Sequence, residues 1–319
     1  MAPLKSELAA GLLRDLLQAD AKGIEGLVAI DVVFEDVPSS KSDSAAAGLP
    51  VIVITVEDRS KVEPINEIKI GLGPGTALVR VEEGGPVKLF APDQSRLPVP
   101  PRGRITGGDA IWNPNGGWGT MAFATSKLTF MDHQNARHVV NNAVVSCNHI
   151  LAMLDLALPS DQLVTFRKQT DLWLDYYWPV LDNNFSPVDV AIGRSTNLVA
   201  FAENEIRGLG TIRGVAAPVD GERVFKCGAA TSITTARDDG IGAIRIPYYN
   251  DRTVLLRKTT PDFADVGDSG SAVLNAGREI VGFVVAGRQT AAGIVTYYLP
   301  AAPLAASQSA DPLLRLSLS

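Results

Sequence analysis

Residues 263–274 read FADVGDSGSAVL, a turn with glycine on both sides of Asp268-Ser269 that runs into the apolar strand Ala272-Val273-Leu274. Glycine adopts backbone dihedrals that other residues avoid and lets the main chain come close to a ligand. A serine at the apex of such a turn presents its hydroxyl, while the amides of Gly267 and Ser269 converge on the same point. That arrangement suits attack on a carbonyl and capture of the resulting oxyanion. Serine alone is a weak nucleophile, so the chemistry needs a histidine base and a carboxylate to orient it. Without those partners the same residues spell an ordinary β-turn.

The chain has three histidines. His133 lies in the polar stretch MDHQNAR and His138 begins a strand-like run, whereas His149 follows VVSCN and precedes ILA, where an apolar strand ends. Among many acidic residues Asp189 stands out, embedded in PVDVAIG. An unpaired carboxylate is costly to bury, so an aspartate there requires a dedicated partner. An imidazole N–H would supply it; backbone or turn donors are the alternative. The order His149, Asp189, Ser269 differs from that of the α/β-hydrolases and of the subtilisins.

Composition narrows the classes. A net charge of −6 and the lack of a basic run argue against nucleic acid or an anionic membrane surface as partner. The N-terminal apolar run Leu8–Leu13 is broken by Gly11 and flanked by charge, unlike a secretory signal. No segment reaches the ~20 apolar residues of a membrane span. The two cysteines, Cys147 and Cys227, sit inside strand-like segments and read as buried free thiols, which fits a reducing cytoplasm. Neither lies on an exposed glycine turn, so a cysteine nucleophile is the weaker choice. Gly71-Leu72-Gly73-Pro74-Gly75 lacks the following Gly-Lys-Ser/Thr of a phosphate loop and reads as a turn. No cofactor motif is found, and the only hint of metal-ligand spacing is the unconvincing pair Cys147/His149.

In chain order, leucines at 4, 8, 12, 13, 16 and 17 make one apolar stripe and predict a helix over 4–19, ended by Lys22-Gly23. LVAIDVVF, PVIVITV and TALVRVE then predict strands, separated by turn-rich stretches that include a surface loop at 38–50. Residues 1–96 thus read as a small α+β accessory domain, and the proline-rich residues 97–104 as a linker. From 105 to 319 short apolar strands follow one another with no long amphipathic helix, which favours an all-β barrel or sandwich.

At these residues the chain resembles the trypsin-like (chymotrypsin-fold) serine proteases. GDSGSAV is similar to their nucleophile motif, VVSCNHIL to the histidine motif, VDVAIG to the aspartate motif, and REIVGFVVAG to the strand lining the cleft. VFKCGAATSITT is similar to the segment opening the second barrel, with Ser232 in place of a glycine common there. The likeness is to the disulfide-free bacterial type with an N-terminal α+β extension. It implies two six-stranded antiparallel β-barrels, about 105–200 and about 205–300, with His149 and Asp189 from the first and Ser269 from the second. It further implies an oxyanion hole at Gly267 and Ser269 and a specificity pocket with Phe263 at its base, lined by Val285, Ala286 and Gly287. Such a pocket suits small or medium neutral side chains, and Arg288 beside it leaves an acidic preference open.

Arg104-Ile105-Thr106-Gly107-Gly108 resembles the junction cut when secreted members mature, which would free the Ile105 ammonium to pair with Asp268. A plain linker and strand is the other reading. The function implied is a cytoplasmic serine endopeptidase acting on polypeptides without a cofactor, with a regulatory protein partner reached through residues 1–96. The competing class is a silent protease-fold scaffold that acts through those N-terminal residues. An esterase of unrelated fold fits less well, because the second glycine of G-x-S-x-G is missing.

Overall fold

The computed structural model describes residues 13, 27–35, 49–61, 67–68, 77–89, 104–132, 134, 136–165, 171–182, 188–196, 200–301 and 315–316. The helix expected over 4–19 (apart from Leu13), most of the 38–50 loop, the Gly71–Gly75 turn, residues 97–103 and His133 lie outside them.

The first strands are β1 (Leu27–Glu35), β2 (Leu49–Val56), β3 (Glu67–Ile68), β4 (Ala77–Glu83) and β5 (Lys88–Leu89). The next group is β6 (Ile105–Gly107), β7 (Ala110–Trp112), β8 (Trp118–Thr120), β9 (Phe123–Met131), β10 (Arg137–Ser146), β11 (Val164–Thr165), β12 (Leu172–Tyr177), β13 (Ala191–Ser195), β14 (Phe201–Ile206) and β15 (Gly210–Thr211). The last group is β16 (Gly214–Val215), β17 (Arg223–Gly228), β18 (Ser232–Ile246), β19 (Arg252–Thr259), β20 (Ala272–Leu274), β21 (Glu279–Thr290), β22 (Gly293–Pro300) and β23 (Arg315–Leu316).

The fold is mainly β, as the sequence predicts. In the C-terminal half the order β17-β20-β21-β22-β19-β18 closes on itself through β17–β18, giving a six-stranded antiparallel barrel with no free edge in the ring. The preceding half is less regular. There the path β12-β13-β10-β9-β14-β15 stays open, and β11-β7-β8 form a separate small sheet beside it. Apolar side chains from both halves meet in one core, where Phe123, Leu128, Val145 and Ile192 pack with Leu274, Ile280 and Phe283. Full burial of each such side chain stabilises by about 1.5–3 kcal/mol, so the two halves hold each other in register.

The described N-terminal strands do not make a sheet of their own. β1 pairs with the far half of β18 (Ala29↔Ile244, Asp31↔Gly242), and β2, β4 and β3 follow outward, so they prolong the sheet of the C-terminal barrel. Leu27, Val28, Ala29, Ile30 and Val32 are all buried, as expected of a strand covered on both faces. β18 can pair with β17, β19 and β1 along its length because it bends. Its register with β19 shifts between Asp238 and Ile241, and Gly240, at φ +85°, takes the left-handed conformation such a bulge requires. Buried Asp238 is fixed there by Arg257, 2.9 Å away through Nε, and by the Tyr298 hydroxyl. Among the described residues no helix is long and apolar enough to cross a membrane.

Candidate active site

β10 delivers Ser146 and Cys147 to the junction of the two halves, and one helical turn, Asn148–Leu151, follows. His149 lies on that turn with its side chain only 1% exposed. Asp189 stands two residues before β13, which pairs with β10 (Ser146↔Ala191), so the strand register brings the two side chains together. Asp189 Oδ2 lies 2.5 Å from His149 Nδ1, and Oδ1 accepts the backbone N–H of His149 at 3.0 Å. Tyr249, from the C-terminal half, donates its hydroxyl to the same Oδ2 at 2.5 Å. Burial alone would raise the Asp189 carboxyl. The electrostatic pull of the His149 ring and the hydrogen bonds from His149 and Tyr249 outweigh it, so the group is held below its ordinary value. An ionised carboxylate only accepts, so Nδ1 carries the proton and the lone pair of the neutral ring sits on Nε2. Nε2 is buried and has no hydrogen-bond partner among the described residues.

Ser269 comes from the turn before β20. Its Oγ donates to the Val285 carbonyl at 3.0 Å, and it is wholly buried. The structure therefore joins His149 to Asp189 and places Ser269 against β21, without a Ser269–His149 hydrogen bond. The turn is clamped to the first half from several sides. The Thr120 N–H donates to the Ser269 carbonyl at 2.7 Å, Thr120 Oγ1 donates to the Gly267 carbonyl, and Ser146 Oγ donates to the Thr120 carbonyl. Cys147 Sγ donates to the Val284 carbonyl at 3.2 Å. Within the turn, the amides of Asp268, Gly270 and Ser271 are spent on Asp265, Val284 and Asp268 carbonyls, while those of Gly267 and Ser269 have no recorded acceptor among the described residues. Gly267 sits at φ +103° with the Trp118 ring against its Cα, where a side chain would collide.

Asp268 anchors this turn. Its carboxylate takes Lys226 Nζ at 2.9 Å, Thr231 Oγ1 at 2.6 Å and the amides of Ala230, Thr231 and Asp265. Burial pulls the Lys226 ammonium below its ordinary value, and Asp268 opposes that pull. Ile105 lies buried in β6, paired with Phe201, and the ammonium beside Asp268 belongs to a side chain of the same barrel.

Of the expected pocket residues, Val285, Ala286 and Gly287 lie on β21 next to the serine turn. Phe263 is fully buried in the barrel core with Val273, Val281 and Tyr298, its ring 5.6 Å from Lys226 Nζ. Cys147 and Cys227 are buried free thiols. Burial, and for Cys147 the charge of Asp189, push both thiols up, away from thiolate chemistry. Cys147, His149 and Asp189 present ligand atoms within 4.8 Å of one another. They make a poor metal cage, because the thiol stays protonated and Asp189 is already taken by the imidazole and Tyr249. His138 lies elsewhere, bound to Asp132 and stacked on Phe130.

Lys226 and Tyr249 were missed by the sequence reading. Lys226 stands in VFKCG, where strand alternation gives no sign that a cation is buried, and Tyr249 sits in the turn Pro247–Tyr249 with no motif around it.

No protein-family model matches the chain, and no curated protein matches it. Among the solved structures with some likeness to it are three proteases. The Nocardiopsis protease NAPase is 20% identical with a TM-score of 0.44, over 62% of this chain and 93% of that one. The chymotrypsin of Cellulomonas bogoriensis is 20% identical with a TM-score of 0.43, over 62% and 92%. Protease A of Thermobifida fusca is 19% identical with a TM-score of 0.41, over 63% and 93%.

Proposed function

We propose that this chain is a serine endopeptidase with Ser269 as nucleophile, His149 as general base and Asp189 as the group that orients it. The observation that carries this reading is the buried imidazole bound through Nδ1 to an ionised Asp189, its Nε2 left without a partner among the described residues, on the turn that follows Cys147, whose amide lies against Gly270. For the reaction, Ser269 Oγ has to leave the Val285 carbonyl and turn to Nε2. Oγ then attacks a peptide carbonyl carbon as its proton passes to Nε2. The amides of Gly267 and Ser269 receive the negative oxygen, where each donor is worth about 2.7–4 kcal/mol in the transition state. The imidazolium returns its proton to the departing amine, and water repeats the sequence on the acyl-enzyme.

Val285, Ala286 and Gly287 bring no charge to the cleft strand, and Phe263 is not an acid. Both support cleavage after neutral side chains rather than after Arg or Lys. The two buried free thiols support a reducing, cytoplasmic setting. The N-terminal region, hydrogen-bonded to the barrel that carries Ser269, is the place for a regulatory partner to act.

A fluorophosphonate probe with peptide mapping tests the assignment: it labels Ser269, and Ser269→Ala loses both labelling and peptide hydrolysis while keeping its circular dichroism. Undiminished hydrolysis by that variant would refute the serine.

A further inference from the structure

We infer that the residues at Val87–Leu89 occupy, in cis, the strand position that a polypeptide substrate needs, so that the N-terminal region is a built-in inhibitor. This rests on the serine-protease reading above.

A strand has two hydrogen-bonding edges. At Ala286 and Gly287 one edge of β21 is taken by β22, through Tyr297 and Thr296. On its other edge β21 meets β20, then Ser271 and Gly270 at Val284, and the Ser269 hydroxyl at Val285. One step further along that edge lies β5, with Leu89 opposite Ala286 and Lys88 opposite Gly287.

The pairing is antiparallel, so β5 runs from Gly287 toward Val285 and its C-terminal end points at the serine turn. An acyl-side peptide that delivers a carbonyl to Ser269 has to run in that direction. Strand addition of this kind gives affinity through the main chain and leaves alternate side chains to fill pockets. The alternation is present: Val87 is buried with Val285, Ala286 and Tyr297, Lys88 is exposed, and Leu89 packs against the same cluster. Two ion pairs hold the N-terminal strands on this barrel. Asp31 of β1 lies 3.3 Å from Lys258 and 3.6 Å from Arg288, the residue that follows the occupied edge. A substrate must displace β5 before it can pair.

Full-length wild type is compared with Val87→Asp, which places a charge at the buried contact, and with Lys88→Pro, which breaks strand pairing. Three readouts are taken: labelling by a small fluorophosphonate, labelling by a tripeptidyl phosphonate that needs the Ala286–Gly287 edge, and amide exchange at residues 285–287. With β5 seated about nine-tenths of the time, the peptidyl probe labels the variants about tenfold faster than wild type. The small probe changes less, and exchange at Ala286–Gly287, slow in wild type, quickens in both variants. Equal peptidyl labelling in wild type and in a folded variant overturns the inference while the small probe still marks Ser269. Fast exchange at Ala286–Gly287 in wild type overturns it without reference to activity. Silence of both probes in every form strikes the serine assignment, and inhibition with it.

Discussion

Lys226 Nζ lies 2.9 Å from the carboxylate of Asp268, with both side chains wholly excluded from solvent. The residue beside the candidate nucleophile is thus neutralised from within the barrel, by an ammonium on β17. Removing one member of a buried pair leaves the other charge uncompensated. Lys226→Met therefore costs about 3–5 kcal/mol in denaturant unfolding. It also releases the turn that carries the Gly267 and Ser269 amides, so turnover falls further than occupancy of the folded state explains.

Tyr249 holds Asp189 from the side opposite His149. Tyr249→Phe removes a hydrogen bond to a charged acceptor, a loss of about 1.5–3 kcal/mol in stability. It also leaves the carboxylate's charge freer to stabilise the imidazolium, so the acid limb of kcat/KM against pH moves upward. A purely structural tyrosine lowers stability without moving that limb.

Asp189→Asn keeps the fold and lowers kcat about 10⁴-fold, because the amide no longer fixes the proton on Nδ1. Titration in peptide hydrolysis assays measures this directly.

The same residue sets a pH dependence of stability. Asp189 is held below its ordinary value of 3.8 in the folded chain. A carboxyl lowered on folding contributes stability that is fully present above its unfolded pKa and is lost as pH falls through the folded one. The carboxylate's contribution to the advantage of wild type over Asp189→Asn is therefore in place at about pH 5 and shrinks below about pH 4. Thermal unfolding across that range checks it, and an advantage that grows on acidification would contradict the sign.

Among the described residues, Asp31→Asn leaves Arg288 without an acidic partner and Lys258 with Asp239 alone, 3.6 Å away. The expected cost is about 3 kcal/mol or more, felt first as faster amide exchange in β1 and β5.

How much of this could be read from the chain alone follows from where each signal resides. His149, Asp189 and Ser269 each sit in a short local pattern, a polar residue set into apolar strand or glycine turn, and such patterns survive in one dimension. The β-rich character is equally local, carried by runs such as those of β1 and β10. Pairing is not. Nothing in LVAIDVVF says that Asp31 meets Gly242, and nothing in VKL says that it lies against Ala286. The ion pair Lys226–Asp268 was hidden for the same reason, since a lysine in an alternating strand reads as solvent-facing until its partner is placed. The surroundings of Phe263 were equally out of reach, since nothing in FADVG says that its ring packs with Val273, Val281 and Tyr298.

The junction of β1 with β18 has a bearing on how the protein is made. A ribosome releases Leu27–Glu35 long before Ser232–Ile246 exists, and contacts so distant in sequence form slowly. Until the last third of the chain emerges, an apolar ribbon from the N-terminal end waits without its template, exposed to other nascent strands. β1, made before β18, can take its place in the sheet only after the strand it pairs with has been made.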